Sequence, residues 1–335
     1  MLLPLNKPFV AARSVVVMRE VIYVEAEADG VTGWAETAPF PGISAESPDG
    51  VWSGLVSGTD SNLARVAVEL ACSDLDARLR LRSLWEVIGG SMRPVIASLA
   101  VGFDEDPARA TADAERAGYG AIKLKVAPGA DVERVVAARA AAPDLAVGVD
   151  ANGSYDPGGD PDLGRLLDLE PVYIEQPYPA MALTASADLA RSTPIPIVLD
   201  ESIRSAADAR AAITAHAAAV LTINPAVVGL RGALDVQRAT ADAGLRFKAS
   251  GLLETGIGRA HTRAIASLRG ESFSDIAPAT AFFAIDATVP VLDVAAARKV
   301  TAAPGIGVSV DLELLEPYVI DEGIVDGECG ASSLV

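Results

Sequence analysis

The chain has 335 residues, half of them hydrophobic, and 45 acidic against 27 basic side chains give it a formal charge of -18. So negative a surface repels phosphate backbones and anionic lipid, which excludes nucleic-acid and membrane partners from the expected functions. The length exceeds a usual single core and predicts either one barrel with additions or two domains.

The first residues, MLLPLNKPFV, show no charged stretch followed by an apolar one, and no apolar run is long enough to span a bilayer. Cys72 and Cys329 stand far apart without CxxC spacing, so neither a disulfide framework nor a zinc ribbon is expected. Together these predict a cytoplasmic protein in a reducing compartment. SVVVMREVIYVEAEADGVTGWAET, residues 14–37, reads as two strands around an Asp29-Gly30 turn. From Ser61, a helix-capping residue, apolar positions keep helical spacing until Gly89-Gly90. A hairpin followed by helices predicts a small α+β domain over residues 1–92.

After Pro94 the pattern becomes strand then helix, repeated. Strand segments begin near Val95, Ala121, Leu145, Val172, Ile197, Ala219, Arg246 and Ser274, the spacing of βα units. Eight units predict a closed barrel over residues 93–304. An open doubly wound sheet is the alternative, but no GxGxxG or P-loop follows the first strand. Asp106-Pro107 marks a helix start, and Gly118 and Gly244 mark helix ends. Residues 308–327, rich in strand formers, are expected to return to the N-terminal domain within a terminal segment, 305–335.

In GYGAIKLKVAPG, residues 118–129, strand alternation puts Ile122, Leu124 and Val126 on one face and Lys123 and Lys125 on the other. A solvated edge strand would explain the pair equally well. The next three strands each end in a carboxylate: Asp150 in VGVDAN, Glu175 in VYIEQP and Asp200 in IVLDES. In a βα barrel such strand ends converge. Three ionised carboxylates leaving water together need a cation, and all-oxygen ligation selects a hard metal such as Mg²⁺. Helix capping is the competing explanation for each acid alone, although Glu175, followed by Gln176-Pro177, makes a poor cap. Asn152 either orients a ligand or starts a turn. Ser250-Gly251 either offers backbone amides to a substrate carboxylate or forms a tight turn, and Glu254 beyond it is either a site residue or a helix-start acid. His216 and His261 are not placed as a ligand pair. Phe40 and Pro41 suggest an apolar lid.

KLK, DAN, EQP and DES, in this order on successive strands after an α+β segment, resemble the enolase superfamily, in particular its muconate-lactonizing branch. GLLETGIGRAHTRAIASL, residues 251–268, is similar to the corresponding stretch of o-succinylbenzoate synthases and N-succinylamino acid racemases. The resemblance implies an α/β fold: a modified TIM (β/α) barrel with an α+β N-terminal capping domain completed by the C-terminal segment. It further implies Asp150, Glu175 and Asp200 as Mg²⁺ ligands, Lys125 as general base with Lys123 beside it, and a small-molecule carboxylate as substrate. A neighbouring ammonium would lower the pKa of Lys125.

One position departs from the family pattern. Where the sixth strand usually supplies a lysine before a proline, this chain has Asn224 before Pro225, with Thr222 earlier. A racemase commonly needs an acid/base on each face of its substrate, whereas a syn dehydration can use one lysine twice. The expected activity is therefore a dehydratase, most simply the o-succinylbenzoate synthase of menaquinone biosynthesis. An N-succinylamino acid racemase, another enzyme of the superfamily and a catalytically silent metal-binding member are the alternatives. Asn224 itself is a candidate substrate contact. Lys248, on the seventh strand, either points into the barrel as a replacement cation or snorkels outward to solvent. No oligomeric state follows from the sequence.

Overall fold

Antiparallel pairing starts at the first residues of the computed structural model, which describes the chain except residues 12–13, 41–43, 326–328 and 330–335. Strand β1 (Leu2–Ala11) pairs with β2 (Ser14–Glu20), and the register shifts between Pro4 and Phe9. This strand was not expected from the sequence. Pro4 and Pro8 offer no ladder N–H, and a shifted, two-stranded pairing is where prolines are tolerated. β3 (Ile22–Ala28) and β4 (Val31–Thr37) form the expected hairpin, with Asp29 and Gly30 both at positive φ, 53° and 72°.

Helix α1 (Pro48–Ser57) precedes α2 (Asn62–Leu79), whose cap Ser61 accepts a 3.0 Å hydrogen bond from Ala64 N. α2 ends well before Gly89. Leu81 turns to φ 54°, and Ser83 with Glu86 starts a separate turn, α3 (Leu84–Val87). Apolar periodicity carried across this break because both pieces bury apolar residues, while the Ser83–Glu86 capping box reset the backbone.

The barrel follows in regular alternation: β5 (Ser98–Val101), α4 (Pro107–Ala117), β6 (Ala121–Lys125), α5 (Val132–Ala141), β7 (Ala146–Asp150), α6 (Pro161–Leu167) and β8 (Ile174–Glu175). It continues with α7 (Leu183–Ser192), β9 (Ile197–Leu199), α8 (Ala206–Thr214), β10 (Val220–Ile223), α9 (Pro225–Asp242), β11 (Arg246–Ala249) and α10 (Gly256–Ala266). Seven strands, β5 to β11, form one parallel sheet in sequence order. Residues 270–275 take the eighth place: Phe247 N donates to Gly270 O, Asp275 N to Ala249 O, and Ser98 N to Ser274 O. The last strand therefore begins before Ser274 and ends at Asp275. β6 lies between β5 and β7, with Ile122 and Leu124 fully buried and both lysines inside, which excludes the edge-strand reading.

After the barrel, β12 (Thr288–Val289) pairs with β13 (Ser309–Val310). The strand-rich reading of residues 308–327 fails beyond this point because Asp311 accepts from Leu314 N and caps a helical turn over Leu312–Leu315. The segment does reach α2. Asp74, fully buried, accepts from Trp34 N at 2.8 Å, Arg78 Nε at 2.8 Å and Ile306 N at 2.7 Å, so one carboxylate joins β4, α2 and the chain after the barrel. Asp74→Ala leaves Arg78 and two buried amides unmatched and is expected to cost about 3–5 kcal/mol, read as a lower urea midpoint at unchanged slope. Cys72 on α2 is disulfide-bonded to Cys329, with Cα atoms 5.6 Å apart, correcting the expectation of two unlinked thiols. Folding brings together what sequence spacing holds 257 residues apart. Among the described residues no helix is long and apolar enough to cross a membrane.

Candidate active site

Register aligns the site. Lys125 is opposite Asp150 on β7, and Asp150 is opposite Glu175 on β8, so these side chains stand side by side at the strands' C-terminal ends. Lys123 Nζ lies 3.1 Å from Asp150 Oδ2, 2.8 Å from Glu175 Oε1 and 2.6 Å from Asp275 Oδ2. Lys125 Nζ donates to Asp150 Oδ2 and Asn152 Oδ1, each at 2.7 Å. Lys248 points inward: it is 1% exposed, its Nζ is 2.5 Å from Glu175 Oε2, and it sits 4.9 Å above the Tyr173 ring. Thr222 is its partner in the β10–β11 register, so Lys248 projects beside the strand that lacks the family's lysine.

Lys123, Lys125, Asp150, Asn152, Asp200, Glu201, Ser250, Gly251 and Asp275 line a cavity of about 80 Å³, roofed by Phe9 of β1 and Phe40 just after β4. Pro41, the other half of the expected lid, lies outside the described residues. Two buried ties hold the roof to the barrel. Arg19 donates to Pro39 O on one side and to Leu252 O and Leu253 O on the other. Glu36, whose carboxyl burial pushes up to about 7, accepts from Thr255 N and Gly258 N at the start of α10.

Lys248 and Glu175 are absent from the cavity wall and lie beneath it. Asn224 is also absent from it. Its Oδ1 accepts from Ala226 N and caps α9, as an Asn-Pro pair at a helix start is suited to do. Ser250 N is spent on Ile223 O, while its Oγ donates to Asp275. A Cβ at Gly251 would come within 2.0 Å of Glu254 Oε2, so any larger residue there would have to displace the Glu254 carboxylate. Asn152, at φ 45°, connects Lys125 to Glu201, donating to Glu201 Oε1 at 2.8 Å. His261 bonds Trp34 O, and His216 is exposed on a turn, both away from the cavity. Asp275 and Glu201 were missed in the sequence. Asp275 has the same signal as the other acids, a carboxylate at a strand's C-terminal end, but the eighth strand had been started too late to show it.

Burial alone would depress the Lys123 pKa, but Asp275, Glu175 and Asp150 outweigh it and raise it well above the usual lysine value. Burial works against ionisation of Asp275, yet Lys123 and Lys248 hold it down at about 2, and Lys125 and Lys123 likewise keep Asp150 low. Asp200 goes the other way: burial and the nearby charges of Glu201 and Glu175 raise it well above the usual carboxylate range.

Among the described residues no three acidic, imidazole or thiol side chains are gathered as a ready metal cage. Lys123 Nζ stands between the carboxylates. The donor set nevertheless fits a divalent cation. Asp150, Glu175, Asp200, Glu201 and Asp275 face Lys123, Lys125 and Lys248, a formal excess of two negative charges, and among the described residues Glu201 Oε2 has no hydrogen-bond partner. All available donors are hard oxygens, the set that suits Mg²⁺.

Residues 106–314 match the family model described as Enolase C-terminal domain-like. The chain belongs to the enolase superfamily. It is 34% identical to an N-succinylamino acid racemase of Thermus thermophilus over 83% of this chain and 76% of that one. It is 31% identical to an o-succinylbenzoate synthase of Bacillus subtilis over 94% and 93%. A solved dipeptide epimerase of Enterococcus faecalis, complexed with Mg and the dipeptide L-Leu-L-Tyr, shares the fold at TM-score 0.85 and 23% identity, covering 92% of this chain and 97% of that one. The superfamily member described here is an enzyme, and its synthase relatives are consistent with a lyase. The seven-stranded curled sheet with its antiparallel N-terminal strands is the α/β barrel architecture of these neighbours.

Proposed function

We propose that this enzyme is a Mg²⁺-dependent dehydratase of the o-succinylbenzoate synthase type, cytoplasmic and serving menaquinone biosynthesis. The observation that carries the reading is one-sidedness. Among the described residues the only lysines lining the cavity are Lys123 and Lys125, neighbours on one strand.

Asp150, Glu175 and Asp200 would hold the metal, which when bound supplies positive charge to a substrate carboxylate and so acidifies the adjacent C–H. Lys125 in its neutral form takes that proton, its nitrogen oriented by Asn152 Oδ1 and Asp150 Oδ2. The C–O bond to the leaving hydroxyl then breaks. The ammonium just formed on Lys125 returns its proton to that oxygen on the same face, and water departs. Lys123 stays protonated among its carboxylates and contributes fixed charge. Lys248, under the cavity wall, adds a second fixed charge through Glu175 and Asp275 without reaching the substrate. Phe9 and Phe40 keep bulk water from the reacting carbon.

The Thermus relative favours a second reading, racemisation of N-succinylamino acids. That reaction needs a proton carrier on the opposite face, where Lys248 is buried and Asn224 caps a helix. A silent, merely metal-binding protein is disfavoured by eight retained charges whose burial has a stability cost. Purified enzyme with Mg²⁺ should convert the cyclohexadiene precursor to o-succinylbenzoate and exchange the α-proton of N-succinylamino acids, followed by NMR in deuterium oxide, without inverting them. Rapid interconversion of enantiomers would establish the racemase instead, and inactivity on every substrate would remove both.

A further inference from the structure

α10 carries an arginine that the catalytic cavity does not use. Arg263 is 3% exposed and, among the described residues, makes one 3.3 Å hydrogen bond from Nη2 to Ile306 O and has no partner for Nη1. Burial lowers its pKa only to about 10, so at neutral pH it is a buried cation, and among the described residues it forms no ion pair. Such a charge costs several kcal/mol unless something pairs with it.

One turn earlier, Arg259 is also buried. Its Nη1 donates to Asp275 O at 2.7 Å, and its Nε lies 3.7 Å from Glu254 Oε2 without a hydrogen bond. The i, i+4 spacing puts both guanidiniums on one helix face. They border a cavity of about 10 Å³ together with Ile276, Leu292 and Asp286. Asp286 Oδ1 is committed to Thr288 N and Oγ1, and the carboxylate pairs with neither arginine.

We propose that this cavity binds a monatomic anion, chloride, between Arg259 and Arg263. So small a space suits one compact occupant, a water or a monatomic ion, better than sulfate, phosphate or a carboxylate. A water would fill the space but leave the charge of Arg263 unmatched. A halide does both, and the apolar walls suit a weakly hydrated ion. Because Arg259 also borders the catalytic cavity, the ion would sit directly behind one of that cavity's walls.

Bromide-soaked crystals of the full chain should show an anomalous peak between the two guanidiniums. At fixed ionic strength, sodium chloride should raise the unfolding temperature above that in sodium gluconate, whose anion cannot enter, by about 2–4 °C. Arg263→Gln should abolish the difference between salts. General screening of the acidic surface is the same in both salts and cancels. The proposal fails if the site shows only a water bridging Asp286 to Arg263, if unfolding is the same in both salts, or if a bromide peak comes without chloride-specific stabilisation, an adventitious ion only. Should the variant not fold, the bromide map and the parental salt comparison still decide.

Discussion

Lys125→Ala is expected to reduce turnover by at least about 10³-fold and to reduce α-proton exchange equally, since one nitrogen removes the proton and returns it. Metal affinity should change little. Asp150 retains Lys123 at 3.1 Å, and its other oxygen still accepts from Asn152 N. The two quantities are separable: exchange by proton NMR in deuterium oxide, and Mg²⁺ binding by calorimetry on the substrate-free protein. Exchange persisting at the parental rate would transfer the role to Lys123, the other lysine at the cavity wall.

Glu175→Gln should abolish metal-dependent turnover and weaken Mg²⁺ binding by about 100-fold or more, a larger loss than is usual for a residue that only supports a ligand. This carboxylate is fully buried and shared by Lys123 on one oxygen and Lys248 on the other. Neutralising it removes the central negative charge of the cluster while keeping its volume. Both lysines retain Asp275, so the fold should survive, and circular dichroism with the calorimetric titration separates lost ligation from lost structure. Unchanged Mg²⁺ affinity in this variant would show that the ion, if bound, sits elsewhere.

Lys123, Lys125, Asp150, Glu175 and Asp200 were legible in the sequence because each lies in, or directly after, a short apolar strand, and a barrel brings its strand ends onto one rim. The direction of Lys248 was not legible. Alternation separates it from Phe247 without saying which faces inward, and its ion pairs with Glu175 and Asp275 in the folded barrel decide. Asp275 was lost to a boundary: its strand is too short to carry a periodic signal, and pairing with β5 and β11 alone defines it. β1 was hidden by its prolines, and the end of α2 by apolar spacing that ran on through a turn. Asn224 attracted a functional reading because a lysine was expected there, while its local chemistry, a side-chain oxygen ahead of a proline, describes a helix cap.

The disulfide between Cys72 and Cys329 gives the molecule a covalent topology that hydrogen bonds do not. The seven parallel strands β5 to β11 and every residue of the catalytic cavity except Phe9 and Phe40 fall on a closed ring of chain, with the first 71 residues attached as a tail at α2. Closing so long a loop removes roughly 5 kcal/mol of conformational entropy from the unfolded chain. A single proteolytic cut anywhere on the ring leaves the two pieces one molecule, running as a single band until a reductant is added. The barrel can therefore be nicked in any of its loops without its halves drifting apart.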